Sequence, residues 1–171
     1  MTRAMDVLQD IRRTGRPEGT SLHEGIFRSL QLVTTAQFPR RAVIIISDGM
    51  DTKDTVSQKD VEKAIRRTSA LIYSLVPDTR TVVSGDNPVM KRVEVTGGRK
   101  FTIANDKDWT KAVDSVTADF EHYYVLSVRL PADAPDDKWH EIKVTLADST
   151  TTHTVRSRTG YMRLPPNVGR K

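Results

Sequence analysis

The sequence predicts an α/β protein: a parallel, doubly wound sheet with helices on both faces, followed by a small antiparallel β extension. Three observations carry that expectation. Ala42-Val43-Ile44-Ile45-Ile46 is an unbroken apolar run with no alternation, too short for a surface helix. Such a run reads as a strand buried on both faces, in the middle of a parallel sheet. A second apolar run, Ala70 to Val76, follows a helical stretch at about 57–68. Together they make a βαβ unit, expected to cross over right-handed. Beyond residue 121 the apolar period drops to two, the mark of strands with one covered face.

Residues 2–13 read as a short amphipathic helix with Met5, Leu8 and Ile11 on one stripe. After a loop rich in glycine and proline, Ser21 and Glu24 have capping-box spacing and open a second helix. Its Leu22, Ile26, Leu30 and Val33 face the core, and Phe38-Pro39 ends it. Ser57 and Asp60 start the helix at 57–68, with Val61, Ala64 and Ile65 facing in. Asp86-Asn87-Pro88 caps the next helix, which stops at Gly97-Gly98 before a third short strand, Arg99 to Ile103. Asn105-Asp106 caps a helix whose Trp109, Val113, Val116 and Phe120 fall on one buried stripe. Tyr124 to Leu130, Ile142 to Leu146 and Thr152 to Arg158 then alternate and read as three antiparallel strands. The proline-rich tail 165–171 reads as disordered.

Composition narrows the function classes. The chain of 171 residues is 37% hydrophobic and 29% charged, the balance of a protein with a packed core. Its net charge of +5 invites a nucleic-acid reading. The arginine pairs at 12–13, 40–41 and 66–67 lie in different segments, with no basic run interleaved with aromatics, so no nucleic-acid partner is expected. Without cysteine there are no disulfides, thiolate metal sites or cysteine nucleophiles. No segment is long and apolar enough to predict a membrane span, and no signal peptide is visible at the N-terminus.

The candidate site sits where the first apolar run ends in Ser47-Asp48-Gly49. In open parallel sheets ligands bind outside the carboxyl ends of the strands, which places Asp48 first among the candidates. The second candidate is Thr20, in the hydroxyl-bearing loop Gly19-Thr20-Ser21-Leu22. Hard divalent cations such as Mg²⁺ favour such oxygens, with waters filling the octahedron. Taken singly, Thr20 also reads as a helix cap and Asp48 as a turn residue bonding its own backbone. His23, His122, His140 and His153 form no HxH or HxxxH pair and read as surface or strand residues rather than ligands.

Gly19-Thr20-Ser21-Leu22, the strand running into Ser47-Asp48-Gly49-Met50-Asp51-Thr52, and Gly97-Gly98-Arg99-Lys100-Phe101 resemble the von Willebrand factor type A (VWA) domain. Tyr123-Tyr124-Val125-Leu126, Trp139 to Val144 and Val155 to Tyr161 resemble the tail of bacterial VWFA-related domain proteins. The resemblance runs from about residue 4 to 164. It implies a Rossmann-like sheet and non-enzymatic protein recognition through a metal-ion-dependent adhesion site. In that site Thr20 and Asp48 would hold Mg²⁺ (or Mn²⁺ or Ca²⁺), and an acidic side chain of the protein partner would complete the shell. Ser21, Met50 and Asp51 would rim the contact. The first loop of that site, Asp-x-Ser-x-Ser, does not occur in this sequence. By resemblance, then, residues 1–121 correspond to a partial VWA domain and 122–164 to its β-rich extension, and metal binding is expected to be weak or absent. An extracytoplasmic location follows from the resemblance alone.

Two other readings stand beside this one. One is a structural module with no metal site, its β extension serving as the interaction module; self-association through strand 42–47 is a separate expectation, from the apolar edge that strand would leave. The other is an enzyme, because Ile46 to Thr52 is similar to the Ser-Gly-Gly-x-Asp-Ser loop of ATP pyrophosphatases. There Asp48 would replace a glycine and face a polyanion, a like-charge contact that argues against it.

Overall fold

The computed structural model describes residues 19–53, 55–78, 87–129, 138–147 and 154–163. The readings for the helix at 2–13, for Asp86, for His153 and for the tail lie outside them. The element order is α1 (Leu22–Thr34), β1 (Ala42–Ile46), α2 (Gln58–Arg67), β2 (Leu71–Pro77), α3 (Pro88–Arg92), a 3-10 turn (Val93–Thr96), β3 (Lys100–Ile103), α4 (Asp106–Glu121), β4 (Trp139–Glu141) and β5 (Gly160–Met162). The three parallel strands lie in the order β1-β2-β3, and β4 pairs antiparallel with β5. The protein is thus mixed α/β, with helices on both faces of its parallel sheet.

β2 is the centre of that sheet, and its alternation sorts the core. Ile72 and Val76 point toward α1, α2 and α3, where they meet Ile26, Leu30, Val61, Ile65 and Met90. Tyr73 and Leu75 point the other way, with Ile103 of β3 and Ala112 of α4. Ser74 is buried on the first face, where its hydroxyl donates to the Met90 carbonyl at 3.2 Å. Parallel strands carry an apolar side chain on each face because helices cover both.

The helix ends follow the side chains that can cap them. Ser57 accepts from the Asp60 amide, Asn87 from Val89, and Asn105 from Lys107 and Asp108. The capping box expected at Ser21 and Glu24 does not form, and Ser21 makes no side-chain cap bond. Glu24 turns to the Thr55 hydroxyl at 2.8 Å and to Arg28 instead, so tertiary partners outcompete the local one. α1 also stops at Thr34, before Phe38-Pro39.

Three expectations are corrected. β1 is not buried on both faces: Ile45 is buried, but Ile44 is 53% and Ile46 61% exposed. α4 packs against Tyr73, Leu75 and Ile103 and reaches Ala42 and Leu71, leaving the outer half of that face uncovered. On α4 itself Val113 is 56% exposed, and the fully buried position is Ala112. Trp109, Val116 and Phe120 do pack inward; a small residue lets the helix approach the sheet while larger ones flank it. Among the described residues of the extension only β4 and β5 pair, and residues 123–129, 142–146 and 154–158 form no strand. Segment 154–159 is drawn onto the α/β layer instead. The Thr159 amide donates to the Val95 carbonyl at 3.1 Å, and Arg158 donates to the carbonyls of Arg66, Thr68 and Gly160. Cations suit the carboxyl end of a helix, and Arg158 serves α2 there. Burial holds its guanidinium below its usual pKa.

Gly98 is fixed by close approach. A Cβ on Gly98 would run into the backbone of Ile72, so only glycine lets the chain pass from the 3-10 turn to β3. There Thr96 accepts the Ile72 amide at 3.0 Å, finishing the edge of β2 where β3 has not yet begun.

Candidate functional site

The carboxyl end of β1 opens into a loop built by its own short side chains. The Gly49 amide donates to the Ser47 hydroxyl at 3.1 Å, and the Met50 amide to Asp48 Oδ1 at 3.0 Å. Both are local turn bonds of the kind serine and aspartate favour. Gly49 has φ of 86°, a left-handed conformation that a side chain would strain. Asn87, at the start of α3, donates from Nδ2 to the Gly49 carbonyl at 2.8 Å.

A second tie joins this loop to the start of α1. The Thr52 amide donates to the Thr20 carbonyl at 2.9 Å, and the Thr20 amide donates to Thr52 Oγ1 at 2.6 Å. Thr20 and Asp48 therefore lie on neighbouring loops at one end of the sheet, linked through Thr52 rather than to each other. Thr20 and Met50 are exposed, and Ser21 and Asp48 are half-buried.

Asp51 faces inward. Its side chain is only 5% exposed, and its Oδ2 accepts the His23 amide at 3.1 Å and lies 3.0 Å from His23 Nδ1. Its Oδ1 accepts the Lys53 amide at 3.2 Å. His23 is itself buried, against the expectation of a surface residue. With the proton on Nδ1 toward Asp51, Nε2 becomes the acceptor, and it has no described hydrogen-bond partner. Sequence reading missed this pair because a histidine and an aspartate 28 residues apart carry no spacing signal.

The oxygens of Thr20 and Asp48 suit a hard cation in kind but not in number, since one of Asp48's is occupied by the turn. Among the described residues no three His, Asp or Glu side chains converge as a metal-holding group. Two grooves lie elsewhere. One of about 500 Å³ runs between α1 and α2, lined by Phe27, Leu30, Ala64 and Arg67. The other, of about 370 Å³, lies between Arg99 and the extension.

The densest charge cluster lies on the α4 face. Asp119 receives Arg99 at 2.9 Å, Arg156, and the Tyr73 hydroxyl at 3.2 Å. Burial first, and Asp119 second, push the Tyr73 phenol up to about 12. This network ties together β2, the residue before β3, α4 and the extension.

No family model, curated protein or solved structure matches the chain. Among the described residues no helix is long and apolar enough to cross a membrane.

Proposed function

We propose that this chain is a non-enzymatic protein-recognition module of VWA type, as its motifs suggest. The observation that carries the reading is the uncovered apolar edge of β1, with Ile44 and Ile46 exposed beside the strand-end loops of Thr20 and Asp48. Exposed apolar surface rimmed by polar groups marks contact sites on proteins. Thr20 and Asp48 are the metal-facing oxygens of this reading, with Ser21 and Met50 at the rim. Asp51 acts from behind by holding the loop to His23.

Two protein ligands leave most of an octahedral shell to water, which Mg²⁺ gives up reluctantly. Divalent binding by this chain alone is therefore weak, and a partner's carboxylate strengthens it. Isothermal titration with Mg²⁺ and Mn²⁺, alone and with an acidic peptide, tests this. Peptide-dependent heat that Asp48→Ala removes supports the metal-assisted form. Tight, Asp48-dependent binding of metal alone overturns the two-ligand account. ATP hydrolysis lost on Asp51→Ala overturns the non-enzymatic reading. The exposed isoleucines also favour a second form of the reading, recognition through the strand edge with no metal.

A further inference from the structure

The bonds between β1 and β2 leave alternate residues of β1 facing outward. The Leu71 amide donates to the Arg41 carbonyl, and the Ser47 amide to the Leu75 carbonyl. In a parallel ladder with Ala42 level with Leu71, residues 41, 43, 45 and 47 therefore bond inward. The amides and carbonyls of Ala42, Ile44 and Ile46 point to the outer edge, where no described strand pairs with them. The same three residues share one face of the sheet, and it is there that Ile44 and Ile46 are uncovered. Proteins guard such edges with lysine, proline or a bulge. β1 has none of these, and its register against β2 is unbroken.

We infer that this edge is covered by a second copy of the chain, with the two β1 strands paired antiparallel about a two-fold axis at Ile44. The inference rests on the reading of the edge as a recognition surface and requires no metal. An isologous contact requires a self-complementary patch, and the sequence around Ile44 is one. Antiparallel pairing about residue 44 sets Ile44 against Ile44 of the partner subunit and Ala42 against Ile46 of the partner subunit. All three outward residues then exchange backbone bonds, and the exposed isoleucines meet across the seam on one face. The same register carries Arg40, four residues before Ile44, to the level of Asp48 of the partner subunit, four residues after it. Among the described residues Arg40 meets a carbonyl of Asp119 and the faces of Phe120 and Tyr123, and Asp48 meets only an amide. Neither charge is answered by an opposite one, so the two ends of the seam are complementary. A parallel pairing would instead place like charges side by side.

Light scattering after size exclusion, across a hundredfold range of protein concentration, tests this alongside amide hydrogen exchange. Expected is a dimer whose Ala42, Ile44 and Ile46 amides gain protection as concentration rises. Ile44→Lys puts two ammonium groups opposite each other at the axis and should weaken the dimer about a hundredfold or more. The side chain is already half in solvent, so the monomer should remain folded by circular dichroism. Ile44→Val should leave the dimer intact. Asp48→Arg should weaken it, and adding Arg40→Glu should restore it. A monomer with those amides protected at every concentration would mean another segment of the same chain covers the edge, and would overturn the inference. So would a monomer whose amides exchange freely, or a dimer that survives Ile44→Lys. Titrating Mg²⁺ and acidic peptide into the Ile44→Lys monomer separates the two questions, since loop binding there stands or falls without the dimer.

Discussion

β1 and β2 are neighbours of similar composition, one Ala-Val-Ile-Ile-Ile and the other Leu-Ile-Tyr-Ser-Leu-Val-Pro. By hydropathy β1 is the more apolar, yet β2 is the buried strand. Five consecutive residues of β2 are enclosed, including a serine, whereas β1 encloses one. Apolar character makes a strand fit for burial; position in the sheet decides whether burial happens. Among the described residues β2 has strands on both sides and helices on both faces, and β1 has a strand on one side, α1 on one face and α4 reaching Ala42 on the other. The buried core of this sheet is therefore concentrated in β2, and its exposed apolar surface in β1.

The largest expected effect tests that contrast directly. Ile72→Ala, in the centre of the sheet, should cost about 2–5 kcal/mol in urea denaturation. Ile44→Ala, measured where the protein is dilute, should cost about 0.5 kcal/mol or less, as exposed positions do. Equal losses would show that β1 is enclosed in solution and would erase the distinction.

Next comes the network beneath the sheet. Asp119→Ala removes the acceptor shared by Arg99, Arg156 and Tyr73. It should cost about 1–3 kcal/mol, with faster exchange in β3 and β5. β1 meets this network through the ladder that sets Ile44 level with Tyr73 and through Arg40 just before the strand, so exchange there should rise less than in β3 and β5.

A smaller pair of effects separates the two aspartates at the end of β1. Asp51→Ala strips His23 and the Lys53 amide of their partner and should cost about 1–2 kcal/mol. Asp48→Ala loses one turn bond and should cost about 0.5 kcal/mol. A reversed order in thermal melts would mean that Asp48 is the structural residue of the loop.

The last effect is alkaline and confined to high pH. The Tyr73 phenol ionises near 10 when unfolded and near 12 when folded. Its contribution is complete below about pH 10 and lost as the pH rises from 10 to 12. Stability should fall across that window, and the fall should be shallower in Tyr73→Phe.

The sequence by itself determined the elements whose signals are local. The βαβ unit was legible because apolar runs and a capped helix need only their own residues. Ser57, Asn87 and Asn105 cap as their positions imply, because the capping oxygen and the amide lie within three residues. It also marked the loop that ends β1, since Ser47-Asp48-Gly49 ends a strand whatever surrounds it. Only the tertiary structure decided what lies next to what. Among the described residues it made β1 an edge, buried Ala112 in place of Val113, turned Glu24 from its cap to Thr55, and paired His23 with Asp51. It also drew the alternating segment at 154–158 onto the α/β layer through Arg158, where period two alone had suggested a sheet. Each of these depends on atoms far apart in the chain. Period and propensity report which surface of a segment seeks cover, and they carry no record of which distant segment provides it.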